Sequence, residues 1–241
     1  MTTIAVTGTK GSPGATTLAL AICAMSAPRS PLLVEADPAG GDIAVRCGLT
    51  VDAGLLTFAA SGRRGFDRAT VDTHAQLLPC GAAALLAPTS AEQATSALTS
   101  IGTALEATFR NEASLVIIDG GRWDPRSPAA DVVAAASAAL LVLRPTLESV
   151  EHARWQLASL AASVDRAIAV CVGERPYPSD EVQAALQADE LYVVAADTRA
   201  ANALGRCARP DRWLRRSPLV RSASALCDRL LGTYDQTDVR R

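Results

Sequence analysis

The stretch Lys10–Thr17, KGSPGATT, has the residue types and the spacing of a phosphate-binding loop. It lies between the apolar runs TIAV and LALAICAM, which predicts a strand, a loop and a helix in that order. In the loop G-x-x-x-x-G-K-[ST], backbone N–H groups surround the phosphates, a lysine neutralises their charge and a hydroxyl holds magnesium. Thr9 and Gly14 occupy the glycine positions and Thr16 the hydroxyl position, but Ala15 replaces the lysine. Taken alone, the loop predicts either phosphate binding with one charge missing or an ordinary strand-turn-helix corner.

Three carboxylates follow apolar runs of the kind that form buried strands. Glu35 and Asp37 end the run LLVEAD, and Asp119 ends the run SLVIID. A carboxylate at such a place coordinates magnesium directly or through water, although a single strand-end acid more often caps the next loop. Because the carboxyl ends of parallel strands meet at one edge of a sheet, three acids and a glycine-rich loop together favour a site there.

Short apolar runs alternate with helical patterns along most of the chain. Continuous apolar runs of this length predict parallel strands that are buried on both faces and joined by helices. We therefore predict an α/β fold, a single doubly wound domain with a mostly parallel sheet of about seven strands. The seven runs are TIAVTG, PLLVEAD, AAALLAPT, SLVIIDGG, AALLVLRP, AIAVCVG and LYVVAAD.

Helices are predicted between the strands and after the last of them. A final amphipathic helix begins at Ser217, a typical N-cap residue, with Pro218 in its first turn. Its apolar residues recur every three or four positions, and we expect them to dock on the domain rather than on a membrane. The other predicted spans are Gly14–Ala27, Ser90–Phe109 and Thr146–Ser163.

Length and composition indicate one folded domain. The chain has 241 residues, 49% of them hydrophobic and 20% charged, which excludes a disordered protein. We place the domain at residues 1–232 and a loose tail at 233–241. No apolar run approaches the roughly 20 residues of a membrane span and no signal peptide is recognised, so the expected location is the cytoplasm. The six cysteines form no C-x-x-C pair, so neither a disulfide framework nor a zinc site is predicted.

Positive charge is unevenly distributed. The sequence contains 22 arginines and a single lysine, Lys10, which lies in the glycine-rich loop. Between Arg199 and Arg221 there are seven arginines and one acid, Asp211. This cluster is expected either to bind DNA phosphates or an acidic protein, or to form a solvated surface with Trp213 packed inward. Its central members are Arg206, Arg209, Arg212, Arg215, Arg216 and Arg221.

Together these motifs resemble the MinD/ParA type of P-loop ATPase. KGSPGATT is similar to the deviant Walker A box K-G-G-x-G-K-[ST], and LLVEADPAGGDIAVRCGL is similar to the second-strand motif of that family. SLVIID resembles its Walker B strand and VVAADTRAANAL its late P-x-D segment, so the resemblance runs from Ile4 to about Leu204. Actinobacterial-type MinD-like proteins share the PG-x-TT loop and the VEADP strand. The resemblance implies a P-loop NTPase-like fold, ATP and Mg²⁺ as ligands, and a nucleotide-dependent homodimer.

The resemblance also assigns roles to individual residues. Lys10 matches the signature lysine, which reaches the partner's nucleotide across the dimer interface, and Thr17 matches the hydroxyl that meets the α-phosphate. Asp37 matches the acid that positions the attacking water, and Asp119 matches the Walker B acid. The resemblance thus implies Lys10 and Asp37 as catalytic residues, Thr16, Glu35 and Asp119 as magnesium ligands, and a nucleotide-binding loop of Lys10, Gly11, Ser12, Gly14, Ala15, Thr16 and Thr17.

Three departures from the family pattern bear on activity. Ala15 stands where the family has the lysine that contacts the β- and γ-phosphates, a charge pair worth roughly 4 kcal/mol at an effective dielectric near 20, before solvent offsets it. The segment GGRWDP after Asp119 differs from the usual switch, and Gly173 stands where an adenine-contacting asparagine is common. Arg122 or Arg144, each close after a strand, is a candidate replacement for the lysine, and the alternative is that both are solvated surface residues.

Two functions are compatible with this sequence. The first is a MinD/ParA-like switch that binds ATP, hydrolyses it slowly or not at all, and acts in the spatial positioning of DNA, as in chromosome partitioning, or of pilus or secretion machinery. The second is a pseudo-ATPase scaffold that keeps the fold and the dimer surface without turning over nucleotide. The retained Lys10, Thr16, Asp37 and Asp119 favour the first function, whereas Ala15 and the altered switch favour the second.

Overall fold

An eight-stranded sheet forms the centre of the fold. The computed structural model describes residues 2–11, 13–62, 67–102 and 115–238. The strands are β1 (Thr2–Gly8), β2 (Leu32–Glu35), β3 (Gln76–Leu77), β4 (Ala83–Leu85), β5 (Leu115–Arg122), β6 (Ala138–Leu143), β7 (Ala167–Val172) and β8 (Leu191–Val194). Their order across the sheet is β3-β4-β2-β5-β1-β6-β7-β8, and every neighbouring pair is parallel except β3 with β4.

The doubly wound α/β sheet predicted from the sequence is confirmed. Each of the seven predicted apolar runs contains a strand. The eighth strand, β3, is two residues long and antiparallel, so it is too short to leave a periodic signal in the sequence. β1 lies between β5 and β6, so its carboxyl end opens beside that of β5. In open α/β sheets, ligands bind at such carboxyl ends.

Helices cover both faces of the sheet. They are α1 (Ala15–Met25), α2 (Ile43–Cys47), α3 (Leu55–Ser61), α4 (Arg68–His74), α5 (Ala91–Ile101), α6 (Ala129–Ala134), α7 (Leu147–Ala161), α8 (Ser179–Leu186), α9 (Thr198–Gly205), α10 (Arg212–Arg216) and α11 (Pro218–Asp238), with a 3-10 turn at Ala27–Arg29. Alternate strand residues face opposite layers, as the pleat requires. One apolar core joins the sheet to α1, α2, α9, α10 and α11, and the other joins it to α3–α8. The predicted helix Ser90–Phe109 begins as expected, and its last part lies outside the described residues.

α1 is apolar on every side. Every residue from Leu18 to Ala24 is buried, because the helix lies between the sheet and α11. A helix that is apolar all round belongs in the interior. Since α1 begins directly after the glycine-rich loop, the burial of the helix also determines where the loop lies.

α11 docks on the domain, as predicted. The Ser217 hydroxyl accepts a hydrogen bond from the Val220 N–H at 3.4 Å, and Pro218 opens the helix. The Ser222 hydroxyl accepts a hydrogen bond from the Ala195 N–H at 3.0 Å, which ties the helix to the end of β8. The apolar stripe that packs on the first core includes Leu219, Val220, Ala223, Leu226 and Leu230.

α11 extends further than the sequence predicts. A loose tail is expected at 233–241, whereas the helix continues to Asp238. No proline follows Gly232 to stop the helix, so the helical backbone is free to continue. Among the described residues, no helix is both long enough and apolar enough to cross a bilayer.

A disulfide bond joins Cys47 to Cys207, which are 160 positions apart. The cysteine spacing predicted no disulfide framework, and it gave no sign of this single bond. Spacing could not reveal it, because the two residues meet only where α2 and the turn after α9 pack against the same core. The other four cysteines, all within the described residues, are free.

Candidate functional site

A cleft of about 480 Å³ opens at the carboxyl ends of β1, β2 and β5. We call it the loop cleft. The end of β1 and the loop form its floor, the segment after β2 forms one wall, and the end of β5 forms the other. The residues of the floor are Gly8, Thr9, Gly11 and 13–17. Asp37 lies on the first wall and Gly121 on the second. The tertiary fold therefore brings the predicted loop and a predicted acid into one concave site.

The N-terminus of α1 faces the loop cleft. Gly14 is its N-cap residue, with a left-handed φ of 111° that glycine adopts without strain, and among the described residues no side chain caps the helix. The first-turn N–H groups are therefore left for an external acceptor, and the helix dipole favours an anion there. Six other helices do have a side-chain cap, supplied by Asp67, Ser90, Thr146, Asp197, Asp211 and Ser217.

Thr9 fixes the start of the loop to the neighbouring strand and helix. Its N–H donates to the Val142 carbonyl of β6 at 3.0 Å, and its buried hydroxyl lies 3.1 Å from the Ser149 hydroxyl of α7. The same serine oxygen accepts a hydrogen bond from the Arg144 N–H at 3.1 Å. Thr9, at the first glycine position of the motif, thus makes a hydroxyl contact that glycine, which has no side chain, could not make.

Thr16 and Asp119 meet beneath the loop. Burial raises the pKa of the Asp119 carboxyl to about 6, and hydrogen bonds from the Thr16 side chain and the Gly121 N–H act in the opposite direction. The positive charge of Arg46 also lowers this pKa. Hydroxyl and carboxylate oxygens are the ligands that Mg²⁺ prefers. Within the described residues, no group of three or more His, Cys, Asp or Glu side chains forms a metal site. Magnesium here would therefore need phosphate oxygens and water as additional ligands.

Asp37 lines the loop cleft in close contact with the end of β5. Its Oδ1 accepts a hydrogen bond from the Ala39 N–H at 2.8 Å, and burial raises the pKa of its carboxyl despite this bond. Gly121 has a φ of 60°, and a Cβ atom on it would collide with the Asp37 carboxylate. The carboxylate is therefore held against a glycine at the edge of the cleft.

Glu35, like Asp119, is buried and does not line the loop cleft. Its Oε1 accepts hydrogen bonds from the Asp42 and Ile43 N–H groups at 2.9 and 3.0 Å, and its Oε2 accepts one from the Ala87 N–H at 3.0 Å. The side chain is 2% exposed, and burial raises its pKa to about 7 against the effect of these amides. The structure thus gives Glu35 an anchoring role, and its assignment as a magnesium ligand stays a prediction. Both of its oxygens bind backbone amides and hold the segment after β2 against the end of β4.

Lys10 is exposed at the rim of the loop. Among the described residues that line the loop cleft, Gly11, Gly14 and Thr17 are present and Lys10 is absent. This position agrees with a lysine that acts outside its own subunit, and that role stays a prediction. Ser12, also predicted to contact nucleotide, lies outside the described residues.

The segment GGRWDP is anchored to its surroundings. The Trp123 N–H donates to the Gly8 carbonyl at 3.0 Å, and the Trp123 carbonyl accepts a hydrogen bond from Gln156 Nε2 at 3.0 Å. The indole is 3% exposed and packs in the second core. A switch segment has to move when a terminal phosphate arrives or leaves. Three contacts hold this one in place.

A second cleft of about 570 Å³ adjoins the first, and we call it the side cleft. Pro13, Gly14 and Thr17 line both clefts, so the loop forms the boundary between them. The walls of the side cleft come from the ends of β6, β7 and β8 and from α9. Of the two arginines considered as replacements for the lysine, Arg144 lies in the side cleft and Arg122 lies in the loop cleft.

Sequence reasoning missed two charged residues of the loop cleft. Asp42 and Arg46 line its wall and form an ion pair, with Arg46 Nη2 2.6 Å from Asp42 Oδ2. Both lie inside the second-strand motif but after the strand itself, which carries the acids that the motif singles out. Their i,i+4 spacing is the signal that could have identified the pair.

The Arg-rich segment lies on the surface of α9, α10 and the start of α11. All six arginines from Arg206 to Arg221 are exposed. Trp213 is 37% exposed, and Arg199 Cζ lies 4.2 Å from the centroid of its ring. Leu214, and not Trp213, is the residue that packs inward. The six arginines are therefore accessible to solvent, and the expected inward packing of Trp213 is wrong. Both a bare solvated surface and binding to DNA or an acidic protein stay predictions.

Comparison with solved structures identifies the fold. No protein-family model and no curated protein sequence matches the chain significantly. The chain is similar to a ParA family ATPase from Chlorobium tepidum TLS, with a TM-score of 0.80 and 16% identity over 93% of this chain and 96% of that chain. It is similar to the septum site-determining protein MinD complexed with Mg-ADP from Pyrococcus horikoshii OT3, with a TM-score of 0.77 and 14% identity over 96% and 98%. It is also similar to an ATP complex of a McdA variant from Cyanothece, with a TM-score of 0.67 and 15% identity over 96% of both chains. The chain thus has the MinD/ParA-like fold that its motifs predict.

Proposed function

We propose that this protein is a nucleotide-dependent switch of the MinD/ParA type, which binds ATP with Mg²⁺ and acts in spatial positioning. The observation that carries the proposal is the N-terminus of α1, which no described side chain caps and which faces a cleft that also holds Thr16 and Asp37. The proteins of similar fold that are complexed with Mg-ADP or ATP support this choice of ligand.

The residues of the two clefts fit a nucleotide with magnesium. The loop and the first turn of α1 would hold the phosphates through backbone N–H groups, and Thr17 would add a hydroxyl. Thr16 and Asp119 would hold magnesium, which neutralises phosphate charge when it is bound. The side cleft would take the nucleoside, because it continues from the same loop.

Hydrolysis is proposed to be slow or absent. Asp37 is the candidate that orients water, and its raised pKa brings its proton affinity closer to neutral pH. Ala15, however, supplies no charge where negative charge develops on the phosphate, and such charge stabilisation is a large part of catalysis. The anchored Trp123 segment favours slow turnover for a second reason. These same two features support the alternative function, a pseudo-ATPase scaffold.

Two kinds of partner belong to this proposal. The first is a second copy of the chain, because Lys10 lies at the rim of the loop and outside the cleft of its own subunit. The second is DNA or an acidic protein, which would contact the exposed arginines from Arg206 to Arg221. The exposed positive charge of these arginines supports DNA and an acidic protein equally.

Thermal unfolding with and without ATP and MgCl₂ tests nucleotide binding. At free ligand near 100 times the Kd, we expect the free energy of unfolding to rise by about 2.7 kcal/mol. Thr16→Ala should reduce the part of this effect that depends on magnesium, whereas Thr99→Ala, an exposed threonine of α5, should leave it unchanged. Absence of any shift with millimolar nucleotide would refute the proposal. Where binding is present, phosphate release distinguishes a slow ATPase from a scaffold.

A further inference from the structure

The loop cleft needs more positive charge than its loop provides. A nucleoside triphosphate brings several negative charges, and Asp37 and Asp42 add two more at the wall of the cleft. α1 offers backbone N–H groups but no cationic side chain, since Ala15 is at the lysine position. The described cationic residues that line the loop cleft are Arg46 and Arg122.

Arg46 is carried by a short helix whose two ends are both tied down. At the start of α2, the Glu35 carboxylate accepts two backbone hydrogen bonds. At its end, the disulfide bond joins Cys47 to Cys207. Ile43 is fully buried between these two attachments. A cation on so rigid a support loses little freedom when it binds an anion.

Arg46 also has more N–H donors than its ion pair with Asp42 uses. Of the described residues, Asp42 is the one that accepts a hydrogen bond from it, through Nη2 at 2.6 Å. A guanidinium carries five N–H donors in a planar fork that matches phosphate oxygens. The side chains of Arg46 and Asp42 are 38% and 70% exposed, and such a surface ion pair is weak. A phosphate group can therefore share the guanidinium or take it over from Asp42.

Arg122 is less suited than Arg46 to bind a phosphate group in the loop cleft. It is the last residue of β5 and begins the anchored Trp123 segment. The pKa of the Asp124 carboxyl is lowered mainly by a hydrogen bond from the Arg126 N–H and to a smaller extent by the charge of Arg122, so Arg122 lies within electrostatic reach of an acid outside the cleft. Arg46 has its acidic partner inside the cleft, on the wall where a phosphate would replace it.

We infer that Arg46 binds the phosphate groups of the nucleotide and supplies the positive charge that the loop lacks at Ala15. The inference rests on the proposed function, since it concerns the same cleft. Because the attraction grows with the charge of the ligand, Arg46 favours nucleoside triphosphate over diphosphate and contributes nothing to the binding of a nucleoside.

Calorimetric titration of the full chain with ATP, ADP and adenosine, each with MgCl₂, tests this role. Arg46→Ala should raise the Kd for ATP by about 10- to 100-fold, the Kd for ADP by less, and the Kd for adenosine not at all. Arg46→Lys should keep part of the affinity for ATP. The matched control is Arg29→Ala, which removes another exposed, ion-paired arginine, 3.8 Å from Asp228 and at the far end of α1. It should leave all three Kd values unchanged.

A rescue variant tests whether Arg46 replaces the missing lysine. Adding Ala15→Lys to Arg46→Ala should recover most of the lost affinity for ATP, since both side chains would serve the same phosphates. If wild-type protein binds no ATP, the proposed function and this inference fall together. If wild type binds ATP and Arg46→Ala melts like wild type with an unchanged Kd for ATP, only the role of Arg46 is overturned. An equal loss of adenosine binding also overturns it, and this comparison decides the matter even where the double variant is unstable.

Discussion

At the scale of single residues, two buried acids at paired positions have different roles. Glu35 in β2 and Asp119 in β5 are register partners, and burial raises the pKa of both, to about 7 and about 6. Glu35 faces backbone N–H groups from two segments, whereas Asp119 accepts a hydrogen bond from the Thr16 side chain beneath the loop. The groups around each carboxylate, rather than its burial, distinguish the two acids: Glu35 anchors a segment, and Asp119 is the proposed partner of Thr16 in holding magnesium.

The raised pKa of Glu35 predicts a pH dependence of stability. Its pKa is about 7 in the folded protein against an ordinary 4.5, so the folded state keeps a proton that the unfolded chain releases between these values. The free energy of unfolding should therefore fall as pH rises from about 4.5 to about 7, by roughly 3 kcal/mol, and then level off. Urea unfolding across this range measures the slope.

Two glutamine variants identify the source of that slope. Glu35→Gln should reduce the slope and leave the part that comes from Asp119, because burial raises the pKa of that carboxyl to about 6. The variant also loses a hydrogen bond because its NH₂ group faces a backbone N–H. Glu92→Gln, at an exposed position in the first turn of α5, should keep the wild-type slope. Equal slopes in wild type and Glu35→Gln would show that the carboxyl does not titrate in this range.

At the scale of elements, α2 forms a fixed wall although it is only five residues long. A helix of this length does not hold its shape by itself. Glu35 binds the amides at its start, Gly48 ends it with a left-handed φ of 64°, and a disulfide bond ties Cys47 to the turn after α9. The position of Arg46 in the loop cleft depends on these attachments.

The disulfide bond predicts a dependence of stability on reductant. Because Cys47 and Cys207 are 160 positions apart, the chain-entropy account gives about 5 kcal/mol, against a typical measured range of about 2–4 kcal/mol. Denaturant unfolding with and without dithiothreitol should show a loss of this size. The double variant Cys47→Ser/Cys207→Ser should be as stable as reduced wild type, with or without dithiothreitol. The control variant Cys80→Ser should lose stability on reduction as wild type does. Six titratable thiols in unreduced, denatured protein, rather than four, would contradict the bond.

At the scale of the whole molecule, the site is open on one side. The sheet and its two helix layers enclose the apolar cores, and the loop cleft remains at the carboxyl edge of the strands with Lys10 at its rim. A lysine at the rim that lines no part of this cleft is in a position to reach a second copy of the chain. The proposed nucleotide-dependent homodimer has this physical basis.

Lys10→Ala tests the proposed dimer. The variant should melt like wild type, because an exposed lysine contributes little to folding. Its affinity for ATP as a monomer should be retained, but ATP-dependent dimerisation should weaken, since a charge–phosphate contact is lost in each of two symmetric sites. Sedimentation and calorimetry on the same sample measure both quantities, and Arg209→Ala serves as the control for loss of an exposed cation. Loss of monomer binding would place Lys10 on its own subunit's nucleotide, and two unchanged values would deny it any role.

Local signals in the sequence determined the fold class, seven of the eight strands and much of the candidate site. Parallel strands that are buried on both faces have continuous apolar sequences, which are recognisable one strand at a time. The start of α11 is likewise indicated by two neighbouring residues, Ser217 and Pro218. The loop cleft contains Thr16 and Asp37 as the motifs predict. These features depend on residues close together in the chain, which is why a sequence reveals them.

Only the tertiary structure placed Glu35 against the Ala87 amide, joined Cys47 to Cys207 and placed Arg46 in the same cleft as Ala15. The hydrogen bond from the Ala87 N–H to Glu35 spans 52 positions, and the disulfide bond spans 160. Such contacts form where helices and strand ends pack against a shared core. Spacing along the chain therefore carries no trace of them, and the side chains that surround a buried carboxylate or a cleft are decided by packing.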